Sequence, residues 1–292
     1  MNPRLLGALL ALLSATSFGV MPVLTKVVYD DGAGVAGVLS VRFTVASAVL
    51  LLLARTRGEA LPRGRQLLVL FLLGAVGYAT QSACYFAALT RISAGLTALL
   101  LYLYPALVVL LTAVLTRHRP SVRAGSCVAV ATLGTVLTIG PVGGGQWAGV
   151  LLGIAAAVAY TVYIVVSSRQ VLGVGPFATS AVVMAGAALV YDVGALSTRA
   201  ALPSHPGPWL ALLGVALVGT VVAVSAFFAA MDLLGPADTA VISTFEPVVS
   251  VAAAAVVLGE ALTAVQLLGG ALVLGAVAVL AKTPSPVPLD VT

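Results

Sequence analysis

Apolar residues run through this chain in long, nearly unbroken stretches, and charged residues gather in short intervals between them. A helix needs about 20 mostly apolar residues to cross the hydrocarbon of a bilayer, and ten stretches of about that length fit between the charged intervals. They predict helices at roughly 5–27, 35–54, 66–88, 94–116, 122–140, 147–167, 176–197, 208–231, 237–258 and 262–281. The runs are rich in Leu, Ala and Val and lack the alternation of a membrane β-barrel, so the expected class is an all-α membrane protein.

The ten stretches are two sets of five. Pro105 and Pro247 lie 142 positions apart (247 − 105 = 142), and the same offset carries Gly7 onto Gly149, Phe18 onto Tyr160, Gly77 onto Gly219, the YFAA of Tyr85–Ala88 onto the FFAA of Phe227–Ala230, and Thr97-Ala98 onto Thr239-Ala240. The predicted organisation is a first five-helix repeat at 1–140, a Gly/Pro hinge at 141–146, a second five-helix repeat at 147–282 and a disordered Pro-rich tail at 283–292. Five crossings is an odd number. The repeats must therefore enter the membrane with opposite polarity, an arrangement that places a binding cavity where the halves meet. Arg4 followed by an apolar run and the small residues SATS resembles a cleaved leader. The run continues past Gly19, however, and its repeat partner is a full-length span, so it is read as a retained helix.

Composition settles the solvent and charge settles the expected orientation. With 61% hydrophobic and 8% charged residues, and a mean hydropathy of +1.17, the chain has too little polar surface to coat a water-soluble globule. Arg4, Arg55, Arg57, Arg63, Arg65, Arg117, Arg119, Arg123, Arg169 and Lys282 fall on one side of the ten-span arrangement, against Arg91 and Arg199 in the loops of the other. The positive-inside rule then predicts cytoplasmic termini. The net charge of +5 reflects that topology; basic loops this short and dispersed argue against nucleic acid and for contact with anionic lipid. Cys84 and Cys127 fall within spans with no metal or redox spacing, and His118 and His205 fall in loops as solvated residues. No cofactor or metal is expected.

Polar residues inside the spans carry the chemistry, because an ionisable group in hydrocarbon must be paired, turned inward or wetted. Glu246 lies mid-span before Pro247, and Thr239, Ser243, Glu246 and Ser250 draw one polar stripe along their helix. Pro22, Pro105 and Pro247 lack an N–H and leave the carbonyls of Phe18, Leu101 and Ser243 without a helical partner, either kinking the helix or offering an acceptor to a ligand. Tyr104 is the repeat mate of Glu246 and is expected on the same axis. Tyr78, Gln81, Ser82 and Tyr85 share a face of the third span, and Tyr160 and Tyr163 lie in the sixth, where a phenol needs a partner. Tyr29, Tyr102 and Tyr191 read as members of the interfacial belt. Arg42 is the cation set deepest in a span, about 10 Å of helical rise from its end. It is expected either to meet a substrate carboxylate or Glu246, or to clamp backbone carbonyls.

These features resemble the EamA-domain proteins of the drug/metabolite transporter superfamily: ten spans in an inverted duplication, the RF pair of Arg42-Phe43, the EPV of Glu246–Val248 and the run LGEALTAVQLLGGALVLGAV from Leu258 to Val277. The first half departs from the pattern, since Arg117-His118-Arg119 stands where an acid is expected at the end of the fourth span, and Glu260 alone matches that acid. The resemblance implies a bacterial inner-membrane carrier that exports or exchanges small amphipathic metabolites, and members with aromatic-lined cavities are similar to exporters of apolar and aromatic amino acids. On that expectation Tyr78, Gln81, Tyr85, Tyr104, Tyr160 and Tyr163 shape the cavity, Ser243 with Glu246 engages the polar head, and Glu246 and Arg42 are candidates for coupling or charge pairing. Nucleotide-sugar or sugar-phosphate carriage is the alternative within the superfamily; it needs buried cations for phosphate, and Arg42 is one. An intramembrane enzyme is the alternative of another class, but the spans hold no HExxH and no nucleophile with a base.

Overall fold

A capped start sets the first helix. Asn2 accepts a hydrogen bond from the Arg4 amide at 3.0 Å and Pro3 opens the first turn, and α1 then runs unbroken through Pro22 over Pro3–Asp30. The computed structural model describes residues 2–117, 121–139, 146–167 and 174–281. Residues 141–145 of the expected hinge, the tail and His118, Arg119, Arg169 and Lys282 lie outside them.

The remaining helices are α2 (Val35–Thr56), α3 (Gly64–Leu89), α4 (Ala94–Thr116), α5 (Val122–Ile139), α6 (Trp147–Ser167), α7 (Pro176–Thr198), α8 (Pro206–Leu234), α9 (Pro236–Ser243 continued by Glu246–Leu258) and α10 (Ala264–Ala281). The described residues contain no strand. Among the described residues, eight of these helices are long and apolar enough to cross a membrane; α5 and α10 are shorter apolar helices. Their residue ranges follow those predicted, but four interiors do not. α3 and α8 each contain one turn of π-helix, at Leu73–Tyr78 and Leu217–Val222, and α4 and α9 each stop and restart, at residues 102–103 and 244–245. We call the two parts of the broken helices α4a (Ala94–Leu101), α4b (Tyr104–Thr116), α9a (Pro236–Ser243) and α9b (Glu246–Leu258).

Packing repeats with the sequence. α2 lies on α7 and α5 on α10; α1 packs on α8 and α9, and α6 packs on α3 and α4, the same relation carried to the other half. Small residues allow these close approaches. A Cβ on Gly7 would meet Leu233 and Leu234, and one on Gly149 would meet Arg91 and Ile92, the residues 142 positions earlier. Gly77 abuts Tyr163 and Gly219 abuts Met21, again repeat mates. In the α5–α10 pair, Gly134 and Gly269 bring the two backbones together directly.

The interior centres on Leu39, Phe43, Leu50, Phe86 and Leu89, all wholly or nearly wholly buried between α1, α2, α3 and α7. The opposite faces carry Val76, Val114, Leu210 and Val256, each at least 65% exposed. Such apolar residues make an outer surface suited to lipid. Consecutive crossing helices place residues 30, 35, 89, 94, 147, 198, 206 and 258 at one end of the bundle, and 3, 56, 64, 116, 167, 176, 234 and 281 at the other.

Candidate functional site

The two breaks meet at the centre of the bundle. Without an N–H, Pro105 cannot bond the Leu101 carbonyl, so α4a ends there and a new helix opens at Tyr104 with proline in its first turn, where the missing donor costs nothing. Pro247 does the same after Ser243, and α9b opens at Glu246. The first residues of α4b and α9b, Tyr104 and Glu246, therefore stand at helix N-termini, where the backbone favours negative charge. They are repeat mates and both line the same cavity, as the duplication implied.

That cavity has two adjoining parts, which share part of their lining. A narrow one of about 80 Å³ lies among Arg42, Gln81, Tyr85, Phe86, Tyr102 and Glu246. A wider one of about 240 Å³ shares Phe18, Tyr78, Tyr102, Tyr104, Tyr160 and Glu246 with it and reaches Tyr163, Ser180, Phe227 and Ser243. Tyr163 and Ser180 lie within a turn or so of the ends of α6 and α7 that are grouped with residues 3 and 281. The space thus widens toward that end of the bundle and tapers toward the other.

Contacts across the halves close the tapered end. The Glu260 carboxylate accepts from the Ala94 amide at 2.8 and 3.0 Å and from the Gly95 amide at 3.4 Å, and Lys26 approaches it at 3.6 Å. Beside it, Gly34 donates to the Ala201 carbonyl at 2.9 Å, and Asp31 accepts from the amides of Ser204 and His205 and contacts the His205 ring. Hydrogen bonds from the His205 ring and then from these amides hold the Asp31 carboxyl below its ordinary range. His205 is consequently a partner of Asp31 rather than merely a solvated loop residue.

All of the predicted site residues line this cavity: Tyr78, Gln81, Tyr85, Tyr104, Tyr160, Tyr163, Ser243, Glu246 and Arg42. Aromatic contacts join many of them. Tyr104 meets Tyr160 edge-on at 4.8 Å between centroids, Tyr160 stacks on Tyr163 at 6.1 Å, and Tyr163 meets Tyr78 at 5.4 Å. Tyr78 in turn packs edge-on against Phe43 at 5.6 Å. This wall of phenols is continuous from one repeat to the other.

Three expectations change. Tyr102 is buried, and its hydroxyl donates to the Ser243 carbonyl at 2.7 Å and lies 3.0 Å from Glu246 Oε2. It is a cavity residue; its place three positions before Pro105 was the overlooked signal. Tyr29 and Tyr191 also turn inward, donating to the carbonyls of Phe86 at 3.2 Å and Ala79 at 2.6 Å, so none of the three forms a belt. The freed carbonyl of Ser243 is occupied by Tyr102, and the Ser243 hydroxyl turns back to the Thr239 carbonyl at 2.9 Å, which leaves Glu246 as the group of that stripe presented to the cavity.

Arg42 follows neither of its two protein-partner expectations. Its Nε donates to Thr220 Oγ1 at 3.0 Å and Nη2 lies 3.5 Å from the Tyr78 hydroxyl, with the guanidinium against the rings of Phe43 and Phe86 at 4.8 and 5.0 Å. The ion pairs seen among the described residues do not include it. Of the two cysteines, Cys127 is buried and Cys84 half-buried, both within helices. No group of three or more metal-ligating side chains occurs among the described residues.

A solved crystal structure with 22% sequence identity matches 94% of this chain and 95% of its own with a TM-score of 0.65, a likeness of fold. No curated protein matches the chain. The EamA-like transporter family matches twice, over residues 5–140 and 147–282. With almost its whole length matched in two copies, both of which contribute residues to the lining of the central cavity, the chain belongs to the EamA-like transporter family.

Proposed function

We propose that this transporter is an alternating-access carrier that exports or exchanges small amphipathic metabolites, specifically apolar and aromatic amino acids. The observation that carries this reading is the Glu246 carboxyl, which faces a cavity walled by Tyr102, Tyr104, Tyr160, Tyr163 and Tyr78. Phenol rings give a flat or apolar side chain a broad contact surface, and one acidic group answers one ammonium. The cavity volume of about 240 Å³ is of the order of one small molecule. Ser180 and Ser243 add hydroxyl-bearing residues at its wider part. A nucleotide sugar would bring two phosphates to a cavity with one arginine, a poor charge match.

In this proposal the protein sits in a bacterial inner membrane with both termini in the cytoplasm, following the distribution of its basic loops. The cavity, wide toward the termini, then receives substrate from inside. Each repeat moves against the other about the breaks at 102–103 and 244–245.

Counterflow of radiolabelled phenylalanine into proteoliposomes, with leucine, a quaternary amine and a nucleotide sugar as competitors, tests the reading. Saturable exchange competed by leucine supports it. Exchange competed only by the nucleotide sugar, or no exchange with any amino acid, overturns it.

A further inference from the structure

Arg42 is 2% exposed, carries a charge and has no carboxylate partner among the described residues. A guanidinium in that setting is costly unless something anionic joins it. Neutral hydroxyls and two ring faces orient it, but they do not balance its charge. It nonetheless borders the narrow part of the cavity, across which Glu246 stands.

Its two hydrogen-bond partners share a feature. Thr220 lies within the π-helical turn of α8 and Tyr78 at the end of the π-helical turn of α3. Several threonine hydroxyls within helices of the bundle turn back to the carbonyl four residues earlier, as in Thr25 to Met21, Thr135 to Ala131 and Thr138 to Gly134. Thr220 instead donates to the Val215 carbonyl, five residues earlier, at 3.0 Å. The widened turn spends the hydroxyl proton on the backbone and leaves an oxygen lone pair facing Arg42 Nε. Such local π turns are frequent at functional sites.

We infer that Arg42 is the receptor for the substrate's carboxylate, that Glu246 receives its ammonium, and that Thr220, which does not border the cavity, is the residue that positions Arg42. This rests on the amino-acid reading and sharpens it: the carrier selects a zwitterion and discriminates against the same molecule lacking its carboxylate. Two N–H groups of the guanidinium are engaged by Thr220 and Tyr78, and a bidentate carboxylate contact needs two of the remaining donors.

The experiment uses the purified full-length protein in proteoliposomes, with counterflow of labelled phenylalanine competed by unlabelled phenylalanine, by phenylalanine methyl ester and by phenethylamine. In the parent, the amine and the ester are expected to compete about tenfold or more weakly, because a site built to bond a group rejects an analogue lacking it. Thr220→Val keeps shape and removes the acceptor. It is expected to raise the KM for phenylalanine about tenfold, corresponding to loss of one charge-assisted hydrogen bond, with kcat within about twofold and phenethylamine competition unchanged. Thr220→Ser is expected to restore the parent values. A merely structural role would move both competitors together or lower kcat, and that outcome overturns the assignment, as does a parent that treats amine and amino acid alike. The parent comparison needs no variant and decides the carboxylate selection by itself; where Thr220→Val folds poorly, Thr220→Ala read by the same competition decides the role of Thr220. Absence of any amino-acid exchange by the parent is the separate failure of the substrate reading.

Discussion

Replacing Glu260 by glutamine is expected to shift the carrier away from the conformation closed at the Lys26–Glu260 end. In that conformation one carboxylate bridges α1, the start of α4a and the turn after α9b, taking the Ala94 and Gly95 amides and the Lys26 ammonium. A hydrogen bond to a charged acceptor contributes about 1.5–3 kcal/mol and one to a neutral amide about 0.5–1.5, so the change loses about 1 kcal/mol for each of the two amides. The Lys26 contact is partly solvent-exposed, with side chains 23% and 19% exposed, and adds less than about 1 kcal/mol. The whole effect is about 2 kcal/mol, or roughly a 30-fold change in the ratio of the two conformations. The assay introduces Met21→Cys, a cavity-lining position, into a background in which Cys84 and Cys127 are replaced, and follows labelling by a membrane-impermeant maleimide applied from the Lys26–Glu260 side. Faster labelling in Glu260→Gln than with Glu260 intact, by about tenfold or more, is expected. Equal rates in both would mean that the carboxylate is not what holds this end shut.

Three further outcomes follow from the geometry. Glu246→Gln is expected to lower counterflow and flatten its dependence on an imposed pH gradient; transport equal to the parent with unchanged pH dependence would remove Glu246 from coupling. Gly74→Ala and Gly186→Ala would each drive a Cβ into a backbone carbonyl, of Val183 and Phe71 respectively, and force α3 from α7; a loss of roughly 1–3 kcal/mol, seen as a lower melting temperature in detergent, is expected, whereas Gly125→Ala meets open space and should be neutral or slightly stabilising. Since its folded-state carboxyl titrates below the ordinary value, Asp31 contributes stability that is present above that ordinary value and is lost as pH falls through the depressed one. Exchange protection of the Ser204 and His205 amides should therefore persist at neutral pH and disappear only in acid.

Much of this molecule is legible from local pattern, because helices that cross lipid must satisfy their own backbone and announce themselves by unbroken apolar length. The ten helices are properties of neighbours in the chain and the duplication at Pro105 and Pro247 is a match of the chain to itself, and both appear in the fold at the positions expected. Contacts between distant helices are another matter. Tyr102 becomes a partner of Glu246 only because α4 and α9 break side by side, so that a residue resembling a belt tyrosine is brought to the centre. Arg42 finds Thr220 across 178 positions of sequence, through a π-helical turn that no apolar periodicity encodes. Hydropathy reports how deep a residue lies, whereas the rotation of each helix and the register of its neighbours determine what it touches, and those follow from the packing of all ten together.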